Sequence, residues 1–312
     1  MIDGERLSAD ALRRATAARL AAAGVESAGA DAAELIAQLL EVEPGRLLLI
    51  DDVTAEQRER IEAAVQRRLQ RIPLQHITTR AFFAGLALTV GPGVFVPRPE
   101  TELIVEWAVK QLQRMRQGSA TPGPIRVVDL CAGSGALGLA IARLVPETEV
   151  ISVELSDTAA DYLQRNIDEL GLAARVRLVR ADVSDAATMA PLLADADLVV
   201  SNPPYVPAAA EVSPEVAHDP PEAVFSGDTG MDLIRAMAPI LAGALRPGTP
   251  VAIEHDDTTA QQVCDTLVAT RRFAEVVAHD DLAGRPRFVT AVHRAEADPA
   301  HRGAVGVGRW DA

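Results

Sequence analysis

From Ile125 onward the sequence alternates short β-rich runs with helical stretches, and this alternation restricts the fold more than any other feature. IRVVDL (125–130), EVISVE (149–154), VRLVRAD (176–182), DLVVSN (197–202) and TPVAIEH (249–255) read as strands. Helical stretches over 136–144, 157–170 and 234–245 separate them, and another follows at 258–270. Such repetition predicts a doubly wound, Rossmann-like α/β sheet with helices on both faces. Two last strands, near 274–278 and 287–293, are too close in sequence for a helical crossover. They are expected to form an antiparallel pair at the sheet edge.

The preceding part of the chain has a different pattern. Residues 8–72 read as helices. Ser8 can cap a first helix that Gly24 ends, a second spans about 30–42, and Thr54-Ala55-Glu56-Gln57 is a capping box opening a third, which Pro73 closes. A small all-α bundle over 1–80 is expected, with Arg67, Arg68 and Arg71 on a solvated helix face. Residues 81–97, interrupted by Gly85 and Gly91-Pro92-Gly93, read as a β-hairpin joining the bundle to an α/β domain over 98–294. The polar, glycine-rich stretch 295–312 reads as a flexible tail.

Composition removes several classes of function. No apolar run approaches the ~20 residues that span a bilayer. MIDGERLSAD lacks the basic and apolar regions of a secretory leader, so a cytoplasmic protein without membrane contact is expected. Two cysteines cannot make a disulfide framework, and none of the six histidines is spaced as a metal ligand, so no metal is expected. The net charge is −14, nearly all of it on residues 81–312, which argues against long nucleic-acid contact.

The turn after the first α/β strand runs Asp129-Leu130-Cys131-Ala132-Gly133-Ser134-Gly135-Ala136-Leu137-Gly138. Gly133 to Gly138 spell G-x-G-x-x-G, and Glu154 ends the next strand, where a carboxylate can accept both hydroxyls of a ribose. Glycines there let a ligand approach the backbone. Asp129 disfavours a pyrophosphate at this turn and suits a cation. S-adenosyl-L-methionine, with a sulfonium, an ammonium and a ribose, fits better than NAD. Asp182, closing the third strand, is placed to accept the adenine amine or to cap a turn.

The fourth strand runs into Asn202-Pro203-Pro204-Tyr205, at the strand ends where open α/β sheets bind ligands. Two prolines fix the backbone and donate nothing. A planar NH2 group can give one hydrogen to the Asn202 side-chain oxygen and one to the Pro203 carbonyl, with Tyr205 stacking on it. Such an arrangement aims a nitrogen at a methyl carbon, with catalysis by orientation and electrostatics.

Taken together, these motifs resemble the amino-group branch of S-adenosylmethionine-dependent methyltransferases, and within it the release factor glutamine methyltransferases. The resemblance covers about residues 8–294 and includes Pro73-Leu74-Gln75-His76-Ile77, Phe95-Val96-Pro97-Arg98-Pro99-Glu100-Thr101-Glu102, the Asp129 loop, Asn202 to Tyr205, Glu222-Ala223 with Ser226-Gly227, and Ala283-Gly284-Arg285. It implies a seven-stranded class I methyltransferase domain behind a helical domain that docks the substrate protein. The implied reaction transfers methyl from S-adenosyl-L-methionine, leaving S-adenosyl-L-homocysteine, to the amide nitrogen of the Gly-Gly-Gln glutamine of class I peptide chain release factors, which would be the partners of a monomeric enzyme. The implied cofactor residues are Asp129, Cys131, Ala132, Gly133, Ser134, Gly135, Glu154, Asp182, Val183 and Asn202. Asn202, Pro203, Pro204 and Tyr205 would hold the glutamine, with Phe95, Arg98, Glu100 and Thr101 lining the pocket.

Three positions depart from the family pattern, one of them Asp256, which follows the family-like Glu254-His255 where glycine is common. Cys131 stands where a glycine is usual, which predicts a strained or shifted loop. Val183 replaces an aromatic found in some relatives beside the adenine. Methylation of a ribosomal-protein glutamine, or of DNA adenine N6, fits the Asn-Pro-Pro-Tyr motif as well, although the acidic α/β half speaks against DNA. An NAD-dependent oxidoreductase has only the literal glycine pattern in its favour.

Overall fold

The computed structural model describes residues 7–118, 123–295 and 306–308. The chain divides into two compact units, one of Met1–Arg80 with Val212–His218, the other of Ala81–Glu211 with Asp219–Ala312.

The first unit contains helices α1 (Ala9–Ala22), α2 (Ala28–Leu39), α3 (Ala55–Leu69) and the short α4 (Leu74–Thr78). Ser8 caps α1 by accepting the Ala11 N–H, and Thr54 and Gln57 form both bonds of the capping box on α3. Leu35, Ile36, Leu47, Ile61 and Val65 are buried together. Arg67 is exposed as expected, but Arg68 and Arg71 are not on a solvated face. Arg68 is 4% exposed. Its Nε donates to Asp31 Oδ2 at 2.7 Å and its Nη2 to Glu215 Oε1 at 2.9 Å. Arg71 donates twice to the Glu215 carboxylate, at 2.6 and 2.7 Å. Glu215 comes from the 212–218 excursion, whose membership of this unit helix periodicity could not reveal.

The second unit opens with the hairpin of β1 (Arg80–Phe83) and β2 (Leu86–Thr89), shorter than the 81–97 expected. Its two-residue turn, Ala84-Gly85, has φ of 47° and 77°, which matches a twisted hairpin. Phe83, Leu86 and Leu88 are buried against Ile104, Trp107 and Leu112 of α5 (Glu102–Gly118), so the hairpin is built into the core of this unit.

The α/β part follows as β3 (Ile125–Leu130), α6 (Ala136–Leu144), β4 (Thr148–Glu154), α7 (Asp157–Glu169), β5 (Val176–Arg180), α8 (Ala186–Leu193) and β6 (Leu198–Ser201). Then come the short α9 (Pro221–Val224), α10 (Asp232–Ala244), β7 (Pro250–Glu254), α11 (Ala260–Ala269), β8 (Phe273–Asp280) and β9 (Pro286–His293). A three-residue strand, β10 (Gly306–Gly308), pairs parallel with β8 inside the segment expected to be a free tail. The remainder of that segment lies outside the described residues. Sheet order is β10-β8-β9-β7-β6-β3-β4-β5. The final antiparallel pair forms as expected, but β9 is inserted between β8 and β7, so it is not itself an edge. α5 and α8 complete the helical layers where the sequence showed no clear period.

Strand side chains alternate between two cores, as the period of two requires. Val127, Leu198, Val200 and Ala252 face one side with α5 and α6. Val128, Leu130, Val199, Val251 and Ile253 face the other with α10 and α11. Most side chains of these central strands are apolar because both faces are covered, with Asp129, Ser201 and Glu254 as buried polar exceptions. No helix among the described residues is long and apolar enough to cross a membrane.

Candidate active site

Neighbouring strands β7, β6, β3, β4 and β5 run parallel and end side by side. The residues at or just beyond their carboxyl ends are, in sheet order, Glu254, Asn202, Cys131, Glu154 and Asp182. Chain crossovers thus gather into one row residues that lie up to 123 positions apart.

The 131–138 loop is held from three directions. Glu154, 9% exposed, accepts the Gly133 N–H at 2.7 Å through Oε2 and the Ser156 N–H at 2.8 Å through Oε1. Asn166, on α7, donates to the Ser134 carbonyl at 2.9 Å and also pairs with the Thr89 backbone. Asp129 lies beneath, wholly buried, with Oδ2 accepting the Gly138 N–H at 2.9 Å. Burial pushes its pKa up to about 7. A carboxyl without exposed surface cannot meet a ligand's cation directly. Asp129 therefore supports the loop, and the charge argument drawn from its sequence position does not carry over. A side chain at Gly138 would come within 2.7 Å of Ser152 Oγ and 2.9 Å of Asp129 Oδ2, so only glycine lets α6 seat on the sheet there.

Cys131 adopts φ of +60°, the left-handed region where glycine is at ease. The strain expected from its Cβ is present. Burial raises its thiol pKa, and the nearby Glu154 carboxylate adds to the rise, so it packs rather than reacts. Gly133 and Gly135 also have positive φ, 56° and 88°. Nothing stands within 4 Å of a Cβ placed on Gly133, which leaves open space over the loop. Ala132 and Ser134 are buried within it. Asp182 Oδ1 accepts both the N–H and the hydroxyl of Ser184, at 2.8 and 2.7 Å, a turn-stabilising role. Val183 is buried in the α10 core.

Asn202 Nδ2 is 3.3 Å from Thr101 Oγ1. Among the described residues no other donor occupies Asn202 Oδ1 or the Pro203 carbonyl. Tyr205 Oη donates to Glu254 Oε1 at 2.9 Å. This ties down the ring expected to stack on substrate. Beyond it, the Val206 and Phe225 backbones bridge, and Gly230, at φ +74°, lies against the Tyr205 carbonyl with no room for a Cβ. Arg98 does not pair with Glu100, which is exposed. Its Nη2 donates to buried Asp219 at 2.6 Å, and its guanidinium lies 4.9 Å from the Phe95 ring centre. The sequence motifs missed Asp219 and Asn166, and gave Glu254, the start of the family-like Glu254-His255 stretch, no role in the site. Glu254 was otherwise marked only by the apolar run that it terminates.

A parallel sheet with a glycine loop after its first strand, a carboxylate at the second and Asn-Pro-Pro-Tyr at the fourth defines a methyltransferase whose methyl donor is S-adenosyl-L-methionine. Comparison with known proteins narrows this. Residues 10–78 match the model of the PrmC N-terminal domain, and residues 98–219 match that of "conserved hypothetical protein 95". The chain is 45% identical over 282 residues to a release factor glutamine methyltransferase of Mycolicibacterium smegmatis, covering 90% of this chain and 96% of that one. It is 46% identical over 276 residues to the namesake of Streptomyces coelicolor, covering 88% and 94%. The 4-amino-L-phenylalanine/4-methylamino-L-phenylalanine methyltransferase of Streptomyces pristinaespiralis is 39% identical over 273 residues, covering 85% and 89%. The solved catalytic domain of hMettl16 shares the fold, with a TM-score of 0.52 at 12% identity over 79% of this chain and 84% of that one. The chain belongs to the release factor glutamine methyltransferase family.

Proposed function

We propose that the protein methylates the side-chain amide nitrogen of the glutamine in the Gly-Gly-Gln motif of class I peptide chain release factors. The observation that carries this reading is the pair of unclaimed acceptors, Asn202 Oδ1 and the Pro203 carbonyl, on consecutive residues of a backbone fixed by Pro203 and Pro204. Two acceptors at one edge suit a planar NH2. The loop of Cys131 to Gly135, Glu154, Asp182 and Val183 would hold S-adenosyl-L-methionine, a reading supported by the open space around a Cβ placed on Gly133. When bound, that group supplies an electrophilic methyl carbon.

An amide nitrogen is a weak nucleophile because its lone pair is shared with the carbonyl. Accepting both N–H hydrogens at Asn202 and Pro203 shifts electron density back to nitrogen and orients the lone pair, which is catalysis by positioning. The forming N–C bond leaves nitrogen with a surplus proton, which the same two oxygens stabilise until it passes to water. Thr101, with Phe95 and Arg98, would shape the pocket wall. Helices α1 to α4 would dock the release factor in the cytoplasm. A second reading, an aryl amine acceptor, draws support from the 39% identical relative named for 4-amino-L-phenylalanine.

Transfer from labelled S-adenosyl-L-methionine tests this. The acceptors are an intact class I release factor, the same factor with its motif glutamine replaced, a ribosomal-protein mixture, unmethylated DNA and 4-amino-L-phenylalanine. Label on the intact factor alone is expected. Label on another acceptor, or on the glutamine-replaced factor, overturns the substrate.

A further inference from the structure

Residues 89–101 run from the last residue of β2 to the residue before α5, and α7 grips their first half. Thr158, Tyr162 and Asn166 stand four apart on α7 and so share one of its faces. A Cβ on Gly93 would lie 2.6 Å from Thr158 Cγ2, and one on Gly91 would overlap the Tyr162 hydroxyl, so the backbone of Gly91-Pro92-Gly93 lies against that face. These glycines serve close approach to a helix, not only a turn. At the third position Asn166, 1% exposed, uses its whole carboxamide. Oδ1 accepts the Thr89 N–H at 2.7 Å, while Nδ2 donates to the Thr89 carbonyl at 3.0 Å and to the Ser134 carbonyl at 2.9 Å. The Thr89 hydroxyl adds a bond to Glu169 Oε2 at 2.8 Å. At the other end of the segment, Thr101 Oγ1 meets Asn202 Nδ2 at 3.3 Å.

We propose that Asn166 is a positioning residue that sets the acceptor wall against the cofactor loop, and through them the acceptor nitrogen against the methyl group. The inference rests on the reading given above, in which the 131–135 loop holds the donor and Asn202 the acceptor. One strap, residues 89–101, joins these two places. Pro92, Pro97 and Pro99 remove φ freedom from it. Val90, Val94, Val96 and Thr101 along it are each 2% exposed or less. A stiff segment in a close-packed interior passes a displacement at one end on to the other. Asn166 ties its first residue to the cofactor loop, and Thr101 hands that position to Asn202.

The three bonds need one acceptor and two donors on a single planar group, which a carboxamide supplies. An ionised aspartate here would keep the bond from the Thr89 N–H and donate to neither carbonyl. Alanine would lose all three. In either variant Glu154 still holds Gly133, so the loop keeps its hold on the donor. What changes is the spacing between donor and acceptor. Asn166 acts through the strap, so its loss belongs in kcat and not in binding.

Crystal structures of the full chain, wild type and Asn166→Ala, each with S-adenosyl-L-homocysteine, test this without an acceptor. The distance from Thr101 Oγ1 to the Ser134 carbonyl should change by more than about 0.5 Å, the tolerance of a productive site. An unchanged distance overturns the proposal, whatever the acceptor proves to be. Kinetics supplies the second test. Asn166→Ala should lower kcat about 10- to 100-fold, as a misplaced reactant does. The Kd for S-adenosyl-L-methionine and the KM for the acceptor should stay within about threefold. Asn166→Asp, which keeps the shape should the alanine variant not fold, is expected to lose a similar factor. Thr101→Val breaks the same link at its far end, so the double variant should lose no more than about threefold beyond the worse single. Wild-type kcat in the Asn166 variants, a loss carried by Kd or KM instead, or losses that multiply in the double variant would refute the role. Wild type inactive on every acceptor, with the displacement present, would defeat the substrate reading and not this one.

Discussion

Gly133 and Glu154 are 21 residues apart in sequence and joined by a 2.7 Å hydrogen bond, the loop N–H donating to the carboxylate at the end of the next strand. The acid that is expected to bind a ribose also fixes the loop that covers it. Glu154 Oε1 holds the Ser156 N–H in the same way, so one side chain sets the geometry of two turns.

Glu154→Ala should therefore weaken cofactor binding by more than one lost contact. Hydrogen bonds to charged groups contribute about 1.5–3 kcal/mol each, so the Kd for S-adenosyl-L-methionine should rise about 10- to 100-fold. Glu154→Gln, which keeps one acceptor oxygen, should fall between. Calorimetric titration decides this, and an Ala variant within threefold of wild type would show that the loop is held without Glu154.

Asn202→Ala removes an acceptor but leaves Pro203 and the glycine loop in place. Loss of one preorganised hydrogen-bonding group typically costs about 10²–10³ in rate. Single-turnover transfer should drop by that amount while the cofactor still binds. Full activity would sink the assigned role of the Asn-Pro-Pro-Tyr motif.

Cys131→Gly relieves a side chain held at φ +60°. The left-handed conformation costs an L-residue about 1–2 kcal/mol, and the greater freedom of unfolded glycine offsets about half of that. Scanning calorimetry should show Tm raised by about 1–3 °C. A lower Tm would mean that the Cys131 contacts outweigh the strain.

Glu215 confers acid sensitivity on the helical unit. Arg71 and Arg68 hold its pKa down to about 2, against the upward effect of its partial burial. A depressed carboxylate stabilises the fold above its ordinary range near 4.5 and loses that contribution as pH falls toward 2. Glu215→Gln should destabilise the unit by about 1–3 kcal/mol at pH 7, because buried Arg68 loses a charged partner. The deficit should shrink between pH 4.5 and 2. Urea melts followed by circular dichroism at pH 7 and pH 3 test it, and an equal deficit at both would exclude the ion pair as its source.

Much of the fold was legible because its signals are local. The capping box at Thr54 and Gln57 forms as written, since both partners lie within one helical turn. β3, β4 and β6 fall close to their expected spans, since strands covered on both faces are rich in apolar, β-branched residues. α8 and the short α4 left little trace, being short and without a long apolar period. Arg68 and Arg71 misled, because nothing local announces that a carboxylate from residue 215 will reach them.

The sequence by itself determined the chemistry available: a glycine loop, an acid one strand later, and an asparagine locked before two prolines. Those follow from residue type and short spacing. Tertiary structure decided which groups meet. It sank Asp129 beneath the loop, set Asp219 against Arg98 and placed Glu254 behind Tyr205. Burial, not residue type, governs whether a carboxylate faces a ligand or supports the wall behind it, and burial is a property of strands brought together from distant parts of the chain.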